Sequence, residues 1–428
     1  MTPTETLLAF ARANHVLPDS ARSDAARLLA DTLAVGAAGS TAPGADGVLA
    51  AARGWGEGRE ARLIGSSDRL PAPSAAFVNG FRIHCLEWDA VHEPAVVHAL
   101  SVVTAALGAS IDRRGGCAPD DALVALAIGV DVASGLGIAA TSPLKFFRPA
   151  TAGCIGAALA VARLERVERL EDVLGLAYSF CSGTMQAHVE GSIALPLQIA
   201  NAARSAILAV DLVKAGLTGP QDALEGPFGY FNLIDDGVLA SYTEAIGERW
   251  LISAVSTKPY PSGRASHATL ATIADWGYRA DQIDRIELFV PPLIKRLVGR
   301  PMEAGMTPAY ARLCMPLLVA LMATDGLIDP RRFTSATFDD PAIQDLAARV
   351  SINQDTNPDS NALFPQRIRA TLKGNKIIER LVPATLGSPQ SPLSATQAAA
   401  KLKLIRALVP AAEPRLFDDP LGYFTEIA

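Results

Sequence analysis

The feature that most constrains the fold is a change of pattern near Lys258 in this 428-residue chain. Before it, apolar residues recur at three- and four-residue spacing, as in 7–13 and 21–38, which predicts amphipathic helices. Alanine is abundant and aromatic residues make up only 6% of the chain, a balance that favours packed helices over sheets. Residues 1–255 are therefore predicted to form a helical domain, one of the two or three domains that this length allows.

The second part of the chain mixes two patterns. Residues 283–290 alternate as in a strand, and residues 365–383 are typical of a strand, a Gly-Asn turn and a second strand. Helices are predicted between them at 267–278 and 309–325. Residues 256–389 therefore predict a smaller α+β domain, and the fold class is mainly α with this domain added.

The end of the chain returns to a helical pattern. A polar segment at 387–394 is followed by a predicted helix at 395–408. Because a lone amphipathic helix is not stable by itself, this helix is expected to dock on the helical domain, which residues 390–428 would complete.

Composition and charge exclude several classes of protein. The 38 basic and 44 acidic residues give a net charge of −6, and no basic run carries interleaved aromatics, which argues against a nucleic-acid partner. The apolar segment 122–140 is interrupted by Asp131 and glycines, so it predicts a core helix and no membrane span. Five scattered cysteines and an N-terminus without a signal pattern predict reduced thiols in a soluble, cytoplasmic protein.

Residues 79–99, NGFRIHCLEWDAVHEPAVVHA, form a dense cluster of ionisable groups. The cluster consists of His84, Glu87, Asp89, His92, Glu93 and His98. Because buried ionisable groups are costly unless they are paired or used, and because histidine exchanges protons near neutral pH, the cluster predicts proton-transfer chemistry. Two other interpretations stay open. His98 is a hydrogen-bonded core residue, or the cluster binds a metal, although its spacing matches no recognised ligand frame.

The local pattern also predicts how the cluster is arranged. On a continuous helix His84 and Glu87 would share one face. A second helix is expected to begin at Glu93-Pro94, because proline suits a first helical turn, and His98 would lie one turn inside it.

Four cations are candidates for binding a carboxylate. Lys258 and Arg264 flank the proline-rich turn of KPYPSGRASH, just before a helix start, where two cations and a helix N-terminus suit an anion. His267 ends this segment as a candidate acid, base or anion contact, and a solvated hinge loop is the alternative. Arg312, in an apolar helical segment, needs either a substrate carboxylate or a structural salt bridge. Arg148 is a comparable cation at the start of another helix.

These segments resemble the MmgE/PrpD family nearly end to end, in 17–40, 74–89, 258–267 and 387–394. The family includes 2-methylcitrate dehydratase, cis-aconitate decarboxylase and iminodisuccinate epimerase. The resemblance implies a helical domain made from both chain ends, a smaller lid domain, a cleft between them, a homodimer, and no cofactor or metal. It also implies proton abstraction next to a carboxylate, followed by loss of water, loss of carbon dioxide or reprotonation.

Part of the family's site carries over residue by residue. His98 matches the histidine of the family's His-Pro pair, although Ala99 stands in place of the proline. Glu87 and Asp89 match two acidic positions in the preceding stretch. Lys258 matches the lysine that opens the KP-Y-P segment. The resemblance therefore assigns these residues to the site.

Other positions depart from the family's pattern. The family's active-site histidine before a Pro-Thr pair is Arg148 here. Its lysine is replaced near Leu195-Pro196, and a tyrosine is replaced by Leu317. These departures indicate a divergent branch and argue against decarboxylation.

The sequence therefore predicts a cofactor-independent lyase of the dehydratase type, acting on a small di- or tricarboxylic acid. His98 or His92 would remove the proton α to a carboxylate, and Asp89 or Glu87 would orient the imidazole. The four cations would bind carboxylates and stabilise the developing charge, while His267 would protonate the leaving hydroxyl. Two alternatives remain: an isomerase or epimerase, which needs a second base on the opposite face, and a non-catalytic carboxylate-binding member of the family.

Overall fold

The computed structural model describes residues 1–359 and 361–427. It is mainly helical with a smaller α+β part, so the predicted fold class is confirmed. Up to residue 258 the helices are α1 (Pro3–Arg12), α2 (Asp19–Gly39), α3 (Ala45–Arg53), α4 (Ala72–His84), α5 (Ala99–Arg113), α6 (Pro119–Ala139), α7 (Arg148–Leu164), α8 (Leu170–Ser179), α9 (Gln186–Glu190), α10 (Ala194–Lys214), α11 (Tyr230–Leu233) and α12 (Ala240–Thr243). The short antiparallel strand pairs are β1 (Ala61–Arg62) with β2 (Arg69–Leu70), and β3 (Val91–His92) with β4 (Val255–Ser256).

Helix α6 lies at the centre of this helical part, packed against α5 and α7. Glycines allow α6 and α7 to cross closely, because a Cβ atom on Gly156 of α7 would lie 2.3 Å from the carbonyl oxygen of Gly129 on α6. By length and composition α6 could cross a membrane, but most of it is buried inside the protein. Its Asp131 accepts hydrogen bonds from the Tyr242 hydroxyl and the Leu251 amide, both at 2.8 Å. The predicted core helix is therefore confirmed.

The second part of the chain contains a four-stranded sheet. Its helices and those that follow are α13 (His267–Trp276), α14 (Pro292–Val298), α15 (Pro308–Ala311), α16 (Met315–Asp325), α17 (Ser335–Phe338), α18 (Pro341–Ala348), α19 (Ala395–Leu408), α20 (Arg415–Asp418) and α21 (Pro420–Thr425). The strands are β5 (Ile283–Val290), β6 (Val350–Gln354), β7 (Gln366–Leu372) and β8 (Ile377–Val382), in the order β6-β5-β7-β8. β5 runs parallel to β6 and antiparallel to β7.

The predicted strand at 283–290 and the predicted hairpin are confirmed. At the hairpin turn Gly374 and Asn375 have φ angles of +84° and +63°, in the left-handed region that glycine and asparagine tolerate. The predicted helix at 309–325 is wrong in one respect, because it is interrupted between α15 and α16. Pro316 in the first turn of α16 lacks the amide hydrogen that a continuous helix would need.

Helix α19 begins behind a capping box formed by Ser394 and Gln397. It packs on α2, where Nζ of Lys401 lies 2.6 Å from Oδ1 of Asp31. Ile405 is buried on the same side of the helix. The last long helix of the chain therefore packs on α2, a helix from the beginning of the chain.

Candidate active site

The loop between α4 and β3 carries two acidic residues of the histidine cluster. The expected shared helix face of His84 and Glu87 is not formed, because α4 ends at His84 and Glu87 has a φ of +54°. A left-handed residue ends a helical turn and redirects the chain. Carboxylate oxygens of Glu87 and Asp89 then approach the same Nζ of Lys258, at 3.2 and 3.9 Å.

The next helix, α5, begins at Ala99 rather than at Glu93 as expected. His92 and Val97 pair through two backbone hydrogen bonds across a tight turn, so the chain cannot be helical there. His98 therefore immediately precedes α5 instead of lying one turn inside it.

Asp89 is the centre of a hydrogen-bonded group. Its Oδ2 accepts hydrogen bonds from Nδ1 of His84 at 2.8 Å and from Nδ1 of His98 at 3.0 Å. The hydroxyl of Ser101 donates to the same oxygen, and Asp89 is fully buried. Because Nδ1 of His98 donates to the carboxylate, the proton-free nitrogen of this ring is Nε2. Asp89 thus orients His98 in the way that a general base requires.

The two imidazoles that share Asp89 have pKa values shifted in opposite directions. Burial by itself would raise the pKa of Asp89, but His84 and His98 hold it well below its usual range. Burial lowers the pKa of His98, which keeps this ring neutral near pH 7. Burial also lowers the pKa of His84, but Asp89 and Glu87 outweigh that effect and raise it. A neutral ring beside a more readily protonated ring, with centroids 5.0 Å apart, suits general acid–base chemistry.

Lys258 is fully buried and directed at Glu87. Its Nζ donates hydrogen bonds to the Glu87 carbonyl at 3.0 Å and to the Glu87 carboxylate at 3.2 Å. Burial by itself would raise the pKa of Glu87, but Lys258, His84 and His98 lower it to about 2. Glu87 is therefore ionised at neutral pH, with Lys258 as its counter-ion, and is unsuited to act as an acid.

A cavity of about 70 Å³ lies beside this group. Its charged and titratable lining residues are His84, Glu87, Glu93, His98, His188 and Arg264, and most of its other walls are apolar. Within the described residues only Nδ1 of His98 is hydrogen-bonded, which leaves Nε2 for a ligand. Pockets for small molecules usually measure about 300–1,000 Å³, so a substrate must displace part of these walls when it enters.

Two of the arginines predicted to bind a carboxylate are held by other groups. Arg264 lines the cavity, but it donates to Glu93 at 2.7 and 3.0 Å and to two backbone carbonyls before α19. Arg148 is buried and forms a two-pronged pair with Asp235, at 2.5 and 3.1 Å. The structure therefore presents neither guanidinium to a ligand, because both hold segments of the chain together.

Arg312 is in the opposite situation. Its side chain is buried over the Phe333 ring, with only 2% of the residue exposed, yet Nε and Nη2 have no hydrogen-bond partner among the described residues. Burial lowers the pKa of Arg312, and Cys85 and Glu87 offset part of that effect. Its backbone carbonyl accepts a hydrogen bond from Gly263, which lines the cavity. An unpaired buried guanidinium is costly, so a carboxylate would stabilise Arg312. Its side chain does not line the cavity, and a bound acid would reach it only when part of the wall around Gly263 is displaced.

His92 and His267 do not line the cavity. Nδ1 of His92 accepts the amide hydrogen of Ala95 at 3.2 Å. His267 is fully buried, with Nε2 3.2 Å from the Ser262 carbonyl oxygen and Nδ1 3.4 Å from Nη1 of Arg264. Both nitrogens of His267 have partners, so these contacts give no support to its predicted role as the acid.

The cavity also contains two histidines, His84 and His188, to which the sequence assigned no catalytic role. His84 belongs to the 79–99 cluster. The sequence could not assign it a role, because its contact with Asp89, which it shares with His98, depends on how the loop folds. His188 lines the cavity, and its carbonyl accepts a hydrogen bond from Nη2 of Arg300 at 2.8 Å. No local pattern connects His188 with Arg300, because they lie far apart in the sequence.

The same cluster could also ligate a metal ion. One ligand atom each from His84, Asp89 and His98 lies within 4.8 Å of the others. A metal would require both Nδ1 atoms to lose their hydrogens, and Asp89 to exchange its hydrogen bonds for a coordination bond. The hydrogen bonds already satisfy these atoms, so the arrangement favours acid–base chemistry.

We expect the free energy of unfolding to decrease as the pH falls from about 6.5 toward 4. Burial and the nearby Arg249 lower the pKa of His92 to about 4, whereas the unfolded chain takes up this proton near pH 6.5. The stability present above pH 6.5 is therefore lost as the pH falls, by at most roughly 3 kcal/mol for this group. Urea unfolding at several pH values should show a weaker pH dependence in His92→Gln than in the wild type. Equal slopes in His92→Gln and in the wild type would contradict the assignment.

Comparison with known proteins covers nearly the whole chain. The model of the MmgE/PrpD N-terminal domain matches residues 9–242, and that of the MmgE/PrpD C-terminal domain matches residues 260–415. The chain is 26% identical over 397 residues to cis-aconitate decarboxylase of Homo sapiens, covering 86% of this chain and 80% of that protein. It is 25% identical over 413 residues to cis-aconitate decarboxylase of Mus musculus, covering 90% and 82%.

Proposed function

Because the chain belongs to the MmgE/PrpD family, we propose that it is a cofactor-independent lyase that eliminates water from a small di- or tricarboxylic acid. The observation that carries this proposal is the pairing of His98 with Asp89 at the wall of a cavity. The relatives named above act, by their name, on cis-aconitate, which is a tricarboxylate. Their similarity supports an enzyme that acts on a small carboxylic acid.

In the proposed reaction, Nε2 of His98 takes the proton from the carbon next to a carboxylate, and ionised Asp89 stabilises the imidazolium that forms. Arg312 binds that carboxylate and stabilises the negative charge that develops on it. The electron pair left on carbon forms the double bond as the bond to the β-hydroxyl breaks. A proton delivered to the departing hydroxyl completes the water molecule.

We propose His84 in place of His267 as the source of that second proton. His84 lines the cavity, and its Nε2 has no hydrogen-bond partner among the described residues, although Oε1 of Glu87 lies 3.5 Å away. Asp89 and Glu87 raise the pKa of His84 against the opposing effect of burial, so this ring holds a proton more readily than His98 does.

Decarboxylation is the second candidate, because both relatives carry that name. One observation argues against decarboxylation. Arg148 stands where the family has an active-site histidine, and its guanidinium is paired with Asp235. Epimerisation remains the third candidate, because it shares the proton abstraction and differs only in where the proton returns.

Incubation in deuterated water tests these proposals together. The purified protein is mixed in turn with citrate, 2-methylcitrate, malate and cis-aconitate, and the products are analysed by mass spectrometry. Loss or gain of water supports the lyase, loss of carbon dioxide the decarboxylase, and deuterium uptake with unchanged composition the epimerase. If none of the four acids exchanges a carbon-bound proton, or if His98→Ala reacts as fast as the wild type, the proposal is refuted.

A further inference from the structure

We infer that Lys401, on α19, is a positioning residue that holds the acidic loop 87–89 in place through Trp88. Its expected effect on turnover rests on the proposed function, whereas its expected effect on the loop does not. The inference concerns a contact between the end of the chain and the candidate site, because Lys401 does not line the cavity itself.

Lys401 is buried at the junction of three segments. Its side chain is only 4% exposed, and Nζ lies 2.6 Å from Oδ1 of Asp31 on α2. Nζ also lies 3.5 Å from the carbonyl oxygen of Trp88 and 5.5 Å from the centroid of the Trp88 ring. A single ammonium group therefore contacts α2 and both the backbone and the side chain of the acidic loop.

Trp88 is the residue through which this contact reaches the site. It is fully buried, and Nε1 of its indole donates to the carbonyl oxygen of Pro259 at 3.2 Å, next to Lys258. Its two neighbours, Glu87 and Asp89, approach Nζ of Lys258 at 3.2 and 3.9 Å. Because Trp88 lies between Glu87 and Asp89 in the chain, a shift of Trp88 would move both carboxylates.

The ion pair between Lys401 and Asp31 is better explained as a contact that positions the acidic loop 87–89 than as one that stabilises the fold. Burying two charges costs desolvation energy that their attraction often fails to exceed, so apolar residues of the same size would hold α19 on α2 equally well. Oδ2 of Asp31 is moreover buried without a hydrogen-bond partner among the described residues. What apolar residues could not supply is the hydrogen bond to the Trp88 carbonyl.

The test uses a double variant that keeps the volume of the pair and removes its charges, Lys401→Met with Asp31→Asn. The matched control is Lys403→Met, which removes an exposed lysine from the same helix. Hydrogen exchange of peptides covering 85–92 should be about tenfold or more faster in the double variant than in the control, since a loop that has lost an anchor opens more often. The single variant Lys401→Arg, which keeps the positive charge, should keep the slow exchange of the wild type.

Turnover of cis-aconitate gives the second readout. We expect kcat to fall by about tenfold to a hundredfold with little change in KM, because small displacements of catalytic groups cost rate more than binding. Wild-type exchange and turnover in the double variant would overturn the inference.

The two proposals can fail separately. His98→Ala should lower kcat by about a thousandfold while leaving the exchange of residues 85–92 at the wild-type rate. If no reaction is found, the exchange rates of the double variant and of the Lys403→Met control still decide whether Lys401 positions the loop.

Discussion

Replacing His98 with alanine should lower kcat by about a thousandfold, within the range of roughly 10²–10⁴ that a positioned general base contributes. The reason is geometric. Nδ1 of His98 is held by Asp89 at 3.0 Å, so Nε2 is the nitrogen left free to take a proton at the cavity wall. KM should change little, because the imidazole acts on the proton in transfer and not on the carboxylates of the bound acid. Steady-state kinetics on the acid that reacts in the deuterium experiment provides the measurement.

The matched control for His98 is His15→Gln. His15 is a half-buried histidine whose Nε2 contacts the Phe10 carbonyl at 2.8 Å, in a part of the molecule away from the cavity. This variant should keep wild-type kcat and KM. A general base contributes roughly 10²–10⁴ to the rate. If kcat of His98→Ala fell by less than about tenfold, the assignment of His98 as the base would be wrong.

Replacing Arg312 with methionine should weaken substrate binding and stabilise the protein at the same time. A charged group that loses its partner in a buried site costs about 2–5 kcal/mol, so KM should rise by about thirtyfold or more. The free protein, however, is relieved of a buried guanidinium with two unpartnered nitrogen atoms. That desolvation cost, several kcal/mol, exceeds the about 1–2 kcal/mol that the contact with the Phe333 ring returns. We therefore expect the thermal midpoint to rise by a few degrees.

The matched control for Arg312 is Arg148→Met, which removes an equally buried arginine that has a partner. Its loss would leave the Asp235 carboxylate buried without its counter-ion, so this variant should be destabilised by about 3–5 kcal/mol. Differential scanning fluorimetry and substrate titration measure both effects. A destabilised Arg312→Met variant with an unchanged KM would show that Arg312 supports the fold and binds no substrate.

Much of the fold could be predicted because its signals are local. The strand at 283–290 and the hairpin around Gly374 and Asn375 follow from alternation and turn chemistry, which act over a few residues. The predictions that failed were boundaries. α4 ends at His84 and α5 begins at Ala99, because the backbone conformations of Glu87 and of the turn between His92 and Val97 are set by the segments packed around them.

The candidate site was predictable only in part. The cluster of histidines and acids is visible in the sequence, and so is the presence of several cations. Which cations are free is not visible, because Arg148 and Arg264 find their partners, Asp235 and Glu93, more than eighty residues away in the sequence. The sequence also cannot show that both ring nitrogens of His267 have partners, whereas Nε2 of His98 has none among the described residues.

The sequence by itself determined the family, the helical character of the chain and the residues that we propose for proton transfer, because these depend on residue type and local spacing. Only the tertiary structure decided how the six histidine and acidic side chains of the 79–99 segment divide their roles. It turns His84 and His98 toward one carboxylate oxygen of Asp89 and leaves His92 in a strand pair. The physical reason is that a pKa and a free lone pair depend on burial and on partners, and these come from distant parts of the chain.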